Sequence, residues 1–97
     1  MKTLVFCLEE PSAREMLKGV LPRLLPKEID IRYLVFEGKQ DLQKQLEQRL
    51  RGWQKPESHF IVLQDKDSHD CLAVKRKLQD LCARAGQREA LVHIACH

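Results

Sequence analysis

The sequence has no apolar run of membrane length: its longest, Thr3 to Leu8 and Phe60 to Leu63, fall far short of the roughly 20 residues that a bilayer-spanning helix needs. It also lacks the pattern of a secretory leader. Met1 and Lys2 lead straight into the first apolar run, which two acids follow, with no longer apolar stretch and no small-residue cleavage site. The cytoplasm is the expected compartment. Cysteine is scarce and unpatterned, four residues at positions 7, 71, 82 and 96 with no CxxC pair and no zinc-ribbon spacing. The thiols are expected to be reduced. Cys7 and Cys96 lie in apolar runs, where a free cysteine acts as a small hydrophobe. His93 alternates with apolar neighbours and reads as structural, while His69, Cys71, Cys96 and His97 are too scattered to argue for zinc. Charge of one sign is not in large excess either. Seventeen Lys and Arg against fourteen Asp and Glu leave +3, too little by itself to imply a nucleic-acid partner.

What is present is the composition of one folded domain, residues 1–97, with 43% hydrophobic and 32% charged residues. There is no internal repeat, no low-complexity segment and no two-residue hairpin turn. Apolar runs and helical periodicities alternate instead. Thr3 to Leu8 reads as a strand covered on both faces. Ser12 followed by Glu15 forms a capping box that opens a helix through Met16, Leu17, Val20, Leu21 and Leu24, with Pro22 expected to shorten or kink it. Ile29 to Phe36 alternates as a second strand, and Glu37-Gly38 closes it.

Leu42, Leu46 and Leu50, spaced by four, predict a second helix from Lys39 to Leu50. His59 to Leu63 predicts a third strand ending at Gln64-Asp65, and Leu72, Val74, Leu78 and Leu81 a third helix that stops near Gly86. Ala90 to Ala95 completes a fourth strand. The order β-α-β-α-β-α-β, with connections long enough for helical crossovers, specifies an α/β three-layer sandwich with a four-stranded, mainly parallel sheet. Basic stretches such as Lys75-Arg76-Lys77 fit solvated helix surface. The chain stops just after the fourth strand, with no helix to follow it, as a piece cut from a longer protein would.

In an open parallel sheet the functional crevice lies beyond the carboxyl ends of the strands. Acids fall at two such ends: Glu9 and Glu10 after the first strand, Asp65 and Asp67 after the third. Carboxylates gathered at one edge repel unless a cation or basic groups neutralise them, and oxygen ligands suit Mg²⁺ or Mn²⁺. The same acids also suit helix N-termini, and Asp67 or Ser68 alone would open the third helix. Both readings stand at this point.

The run Leu4-Val-Phe-Cys-Leu-Glu9 with Glu10-Pro11-Ser12, taken with Val62-Leu-Gln-Asp65-Lys-Asp67, resembles the Toprim fold of topoisomerases, bacterial primases, recombination-repair proteins and overcoming-lysogenization-defect nucleases. Glu37-Gly38-Lys39-Gln-Asp41-Leu and Asp65-Lys-Asp67-Ser-His-Asp70-Cys71 are similar to an uncharacterised bacterial family of Toprim-like proteins. The resemblance covers nearly the whole chain and rests on short motifs. It implies that Glu9 is the general acid/base or a metal ligand and that Asp65 and Asp67 are the metal-binding DxD; Glu10 and Asp70, close to them in sequence, are candidate accessory acids. Two departures stand out. The glycine that usually follows the glutamate is Glu10 here, and the acid that some nuclease members carry four residues after the glutamate is Ala13.

The resulting expectation is a Mg²⁺- or Mn²⁺-dependent domain that acts on a phosphodiester, a nucleic acid being the partner that chemistry implies. Arg14, Lys18 and Lys39 each follow soon after a strand end and are the candidates to hold substrate phosphate. Similar proteins continue into a helix with further acids, so these 97 residues alone are expected to nick DNA weakly or not at all. Two rival readings share the acidic edge: a non-catalytic module that binds a protein, and a receiver-like phosphoacceptor. The latter usually needs a fifth strand bearing a lysine, which this sequence does not carry.

Overall fold

A strand with only apolar residues from Leu4 to Leu8 has to be covered on both faces and paired on both edges, because any exposed side would leave either apolar surface or backbone groups unsatisfied. The computed structural model, which describes residues 2–53, 57–66, 71–87 and 89–96, meets that demand. In chain order it runs β1 (Thr3–Leu8), α1 (Pro11–Leu24), β2 (Asp30–Val35), α2 (Lys39–Arg51), β3 (Ser58–Lys66), α3 (Cys71–Arg84) and β4 (Leu91–Cys96). The sheet order is β2-β1-β3-β4 and every pair is parallel. With helices on both faces this is a three-layer α/β sandwich.

One face of the sheet is closed. Val5, Cys7, Leu34, Phe36, Phe60, Val62 and Val92 meet Leu42, Leu46 and Leu50 of α2 and Leu78 and Cys82 of α3 in a single buried cluster. The four-residue spacing of the α2 leucines puts all three on one stripe, and Leu46 is 0% exposed. Gly38 precedes the helix at φ 100°, a conformation that favours glycine. Asp41 fixes the first turn by accepting the Glu37 N–H at 2.8 Å. Trp53 seals the far end of α2, donating from Nε1 to Ser58 Oγ at 2.8 Å and meeting Phe60 edge to face.

The other face is only partly covered. α1 lies over β1 and β2, and Ala13, Leu17 and Leu21 are its half-buried stripe. Met16 (62% exposed), Val20 and Leu24, expected on the core side, face solvent instead. Helical periodicity identifies an apolar stripe without saying how wide a surface awaits it, and no other described helix shares this face. The start of α1 also differs from the expected capping box. Glu10 is the N-cap residue, in extended conformation and without a side-chain cap, and Pro11 is the first helical residue. Proline has its φ preset for that position and no N–H to satisfy, so it displaces the cap by two residues, from Ser12 to Glu10, and leaves Ser12 inside the helix. Pro22 does not end the helix, which runs on to Leu24. It falls in the last turn, where few ladder bonds remain to lose.

Strand bounds shift in one place that matters. β3 runs one residue beyond the expected Gln64-Asp65 end, to Lys66, because β4 pairs with it as far as Lys66↔Cys96. Among the described residues no helix is long and apolar enough to cross a membrane.

Two outcomes test this packing. Leu46→Ala should lower the unfolding free energy by about 2–5 kcal/mol, as buried leucine truncations do, while Met16→Ala should cost under about 0.5 kcal/mol, as exposed substitutions do; urea denaturation reads both. Stability should also fall in alkali. Burial, with Cys82 nearby, pushes the Cys7 thiol from 9.0 to about 12, and burial raises Cys82 from 9.0 to about 11. The unfolded chain therefore releases these protons first, so their contribution is whole below pH 9 and is lost as pH climbs from 9 towards 12. A Cys7→Val/Cys82→Ala variant should show a shallower alkaline decline, and parallel profiles would contradict the assignment.

Candidate functional site at the carboxyl ends of β1 and β3

The site begins with a mismatch in strand length. The last rung between β1 and β3 is Leu8↔Leu63, whereas β3 and β4 remain paired for three residues more. Beyond Leu8 the chain turns away into α1, so Gln64 and Asp65 have β4 on one side and the Glu9-Glu10 turn on the other. The turn is anchored. Phe36 N–H donates to the Leu8 carbonyl at 2.9 Å and Gly38 N–H to the Glu9 carbonyl at 2.7 Å, which extends the β1–β2 ladder past the strand. Glu10 then caps α1, its carbonyl accepting from Ala13 N–H at 3.3 Å.

A cavity of about 400 Å³ opens here between α1 and the strand ends. Glu9 and Glu10 stand on its β1 side, Ser12, Ala13 and Met16 come from α1, and Leu63, Gln64 and His93 from β3 and β4. Glu9 is half-buried and its Oε2 is out of reach of solvent.

The structure separates the expected site residues into four groups. Glu9 and Glu10 both line the cavity. Asp65 is described by its backbone alone, which lies in β3 opposite Ala95, at the same sheet edge as Glu9. Asp67 and Asp70 lie outside the described residues, as do His69 and His97. The basic candidates are not gathered in the cavity. Arg14 Nε and Lys18 Nζ each stand 4.0 Å from Glu15 Oε2 on the surface of α1. Lys39 opens α2 directly after the Gly38 N–H that binds the Glu9 carbonyl, and so belongs to the same end of the sheet.

Two residues of the cavity were not anticipated in these roles. His93 is exposed and lines the cavity, where its alternation with apolar neighbours had suggested a structural position. Gln64 is the greater surprise. It is 3% exposed, and among the described residues neither its Nε2 nor its Oε1 has a hydrogen-bond partner. A buried donor or acceptor left in that condition costs about 1–3 kcal/mol, and folded proteins avoid it. The signal in the sequence was an amide directly after the apolar run Phe60 to Leu63, which reads equally well as the polar end of a strand.

The donor chemistry of this edge suits a hard cation. Its described acidic groups are the carboxylates of Glu9 and Glu10, and oxygen ligands are those that Mg²⁺ and Mn²⁺ take. Among the described residues no three His, Cys, Asp or Glu side chains converge on one point. Comparison with known proteins finds no family model, no curated protein and no solved structure that matches this chain.

Proposed function

We propose that this chain is a Toprim-like domain that holds Mg²⁺ or Mn²⁺ at the carboxyl ends of β1 and β3 and acts on a phosphodiester. The observation that supports the reading is the adjacency of two parallel strands, one followed at once by Glu9 and the other carrying Asp65 near its end. Sequence separation between the two acids is large, and the sheet order removes it.

In this reading Glu9, Asp65 and Asp67 hold the cation, with Glu10 and Asp70 close enough in sequence to add to the negative field. The cation, when bound, neutralises charge that develops on the phosphoryl group and lowers the pKa of an attacking water. The chain's own part is positional. Glu9 is held by the backbone bonds on either side of it, from Phe36 N–H to Leu8 and from Gly38 N–H to its own carbonyl, so the backbone that carries its carboxylate is fixed at the strand end, and the carboxylate would take up or return a proton there. Lys39, at the start of α2, supplies positive charge at the same edge for a substrate phosphate. Arg14 and Lys18 share Glu15 on the outer surface of α1 and serve the approach of a nucleic-acid backbone rather than the reacting group.

The test is thermal unfolding with and without the ion. A cation that binds only the folded chain at ten times its Kd adds about 1.4 kcal/mol, which for a domain of this size moves the midpoint by roughly 5–10 °C. Millimolar Mg²⁺ or Mn²⁺ should produce that rise. Asp65→Asn/Asp67→Asn should abolish it without lowering the ion-free midpoint, since removing charge relieves repulsion among the acids. An undiminished rise in the double variant would place the ion elsewhere and overturn the reading.

A further inference from the structure

Four strands set roughly 4.8 Å apart make a sheet about 19 Å wide, and helices pack side by side at about 8–10 Å, so each face has room for two. α2 and α3 fill one face. On the other, α1 lies over β1 and β2, and among the described residues no helix lies over β3 and β4. The register pairs Ile61 with Leu91 and Leu63 with His93. Alternation turns these four side chains to the α1 face, because Phe60, Val62 and Val92 between them are buried against α2 and α3. Ile61 and Leu63 are half-buried, His93 is exposed, and Leu91 is 66% exposed. Met16 of α1 borders the same strip, lining one cavity with Leu63 and His93, and Val20 follows it one turn on. The strip is thus an apolar groove the width of one helix.

Its length and charge define the occupant further. The six residues of β4 span about 20 Å, which a helix of about 13 residues matches, and α1, α2 and α3 themselves have 14, 13 and 14. A helix lying beside α1 in the same sense starts at the carboxyl ends of the strands, as α1 does directly after β1. Glu9 and Glu10 stand at that end of the groove. They favour the positive end of a helix dipole and Lys or Arg side chains in its first turn. A second copy of the chain has no helix to offer, since α2 and α3 are buried on their own sheet and α1 turns Glu15 and Lys18 to solvent. We propose that the groove docks an amphipathic helix of a partner protein, its apolar stripe on Ile61, Leu63 and Leu91 and its basic first turn at Glu9 and Glu10. Docking and the cation both draw on Glu9, so the test runs without the ion.

The probe is a fluorescein-labelled peptide of about 14 residues, with leucines spaced by three and four and a pair of lysines in its first turn, followed by fluorescence anisotropy in chelator-containing buffer. A second peptide carries glutamates in place of the lysines. The native chain should bind the lysine peptide at least about tenfold more tightly than the glutamate peptide, and Glu10→Lys should reverse that preference. Leu91→Asp and Met16→Asp, at exposed positions outside the core, should each weaken binding about tenfold or more with urea midpoints near the native one. Leu72→Asp, at an exposed leucine of α3, should bind as the native chain does. No binding by the native chain, equal affinity for the two peptides, or native affinity in both Leu91→Asp and Met16→Asp would overturn the proposal. A chain that sediments as a dimer, and as a monomer once it carries Leu91→Asp, would overturn it too by giving the groove to a second copy. Asp65→Asn/Asp67→Asn separates docking from the metal reading, since that variant should lose the cation-induced rise and keep the peptide. A native chain that shows the rise and binds no peptide refutes docking alone, and one that binds the peptide and shows no rise refutes the metal reading alone.

Discussion

Everything in this fold depends on β1 being paired along its whole length on both edges and then stopping short. Six residues of β1 register with β2 and with β3 from Thr3 to Leu8, and Val5, Cys7 and Leu8 are wholly buried. That pairing fixes β3 beside β1 rather than at a sheet edge. It is also why the end of β1 is an opening. The chain must leave the sheet at Glu9-Glu10 to begin α1, while β3 keeps β4 as a partner as far as Lys66. The crevice is the space vacated by the central strand, and the residues at its margin are the last ones the ladder orients.

The two faces of the sheet carry different loads. α2 and α3 close one face with fully buried leucines and hold most of the apolar burial. α1 has no buried residue and leaves Met16, Val20 and Leu24 exposed. Stability is thus concentrated on the α2–α3 side and access on the α1 side, which is where the cavity forms. This division suits a binding site, because a ligand entering beside α1 displaces water and little protein.

Much of this was legible in the sequence, and the exceptions have physical causes. The element order, the parallel sheet and the α2 stripe follow from period and spacing, because uninterrupted apolar strands and the 42-46-50 leucines leave few other ways to bury that surface. The last residue of β3 was not legible. Gln64-Asp65 look like the polar end of a strand, and only pairing with β4 carries the backbone through them. The start of α1 was misplaced because Ser12 and Glu15 make a good capping box, yet Pro11 is a better first residue than Ser12 is a cap. Of the candidate site, Glu9 and Glu10 were found from their place after an apolar run. Gln64 was not, since the burial of an amide is a property of its surroundings and has no pattern in the chain. Arg14 and Lys18 were drawn to phosphate by proximity in sequence, whereas the helix brings both to Glu15.

The central claim is that the carboxyl end of the β1–β3 pair is where a divalent cation binds. Titration of the ¹⁵N-labelled chain with substoichiometric Mn²⁺ tests it most directly, because the ion broadens the resonances of nearby amides. The account predicts that Glu9, Glu10, Gln64 and Asp65 lose intensity first, while Ser58, Gln87 and Ala90, at the opposite ends of β3 and β4, persist. Broadening centred on that opposite end, or spread evenly over the chain, would contradict it.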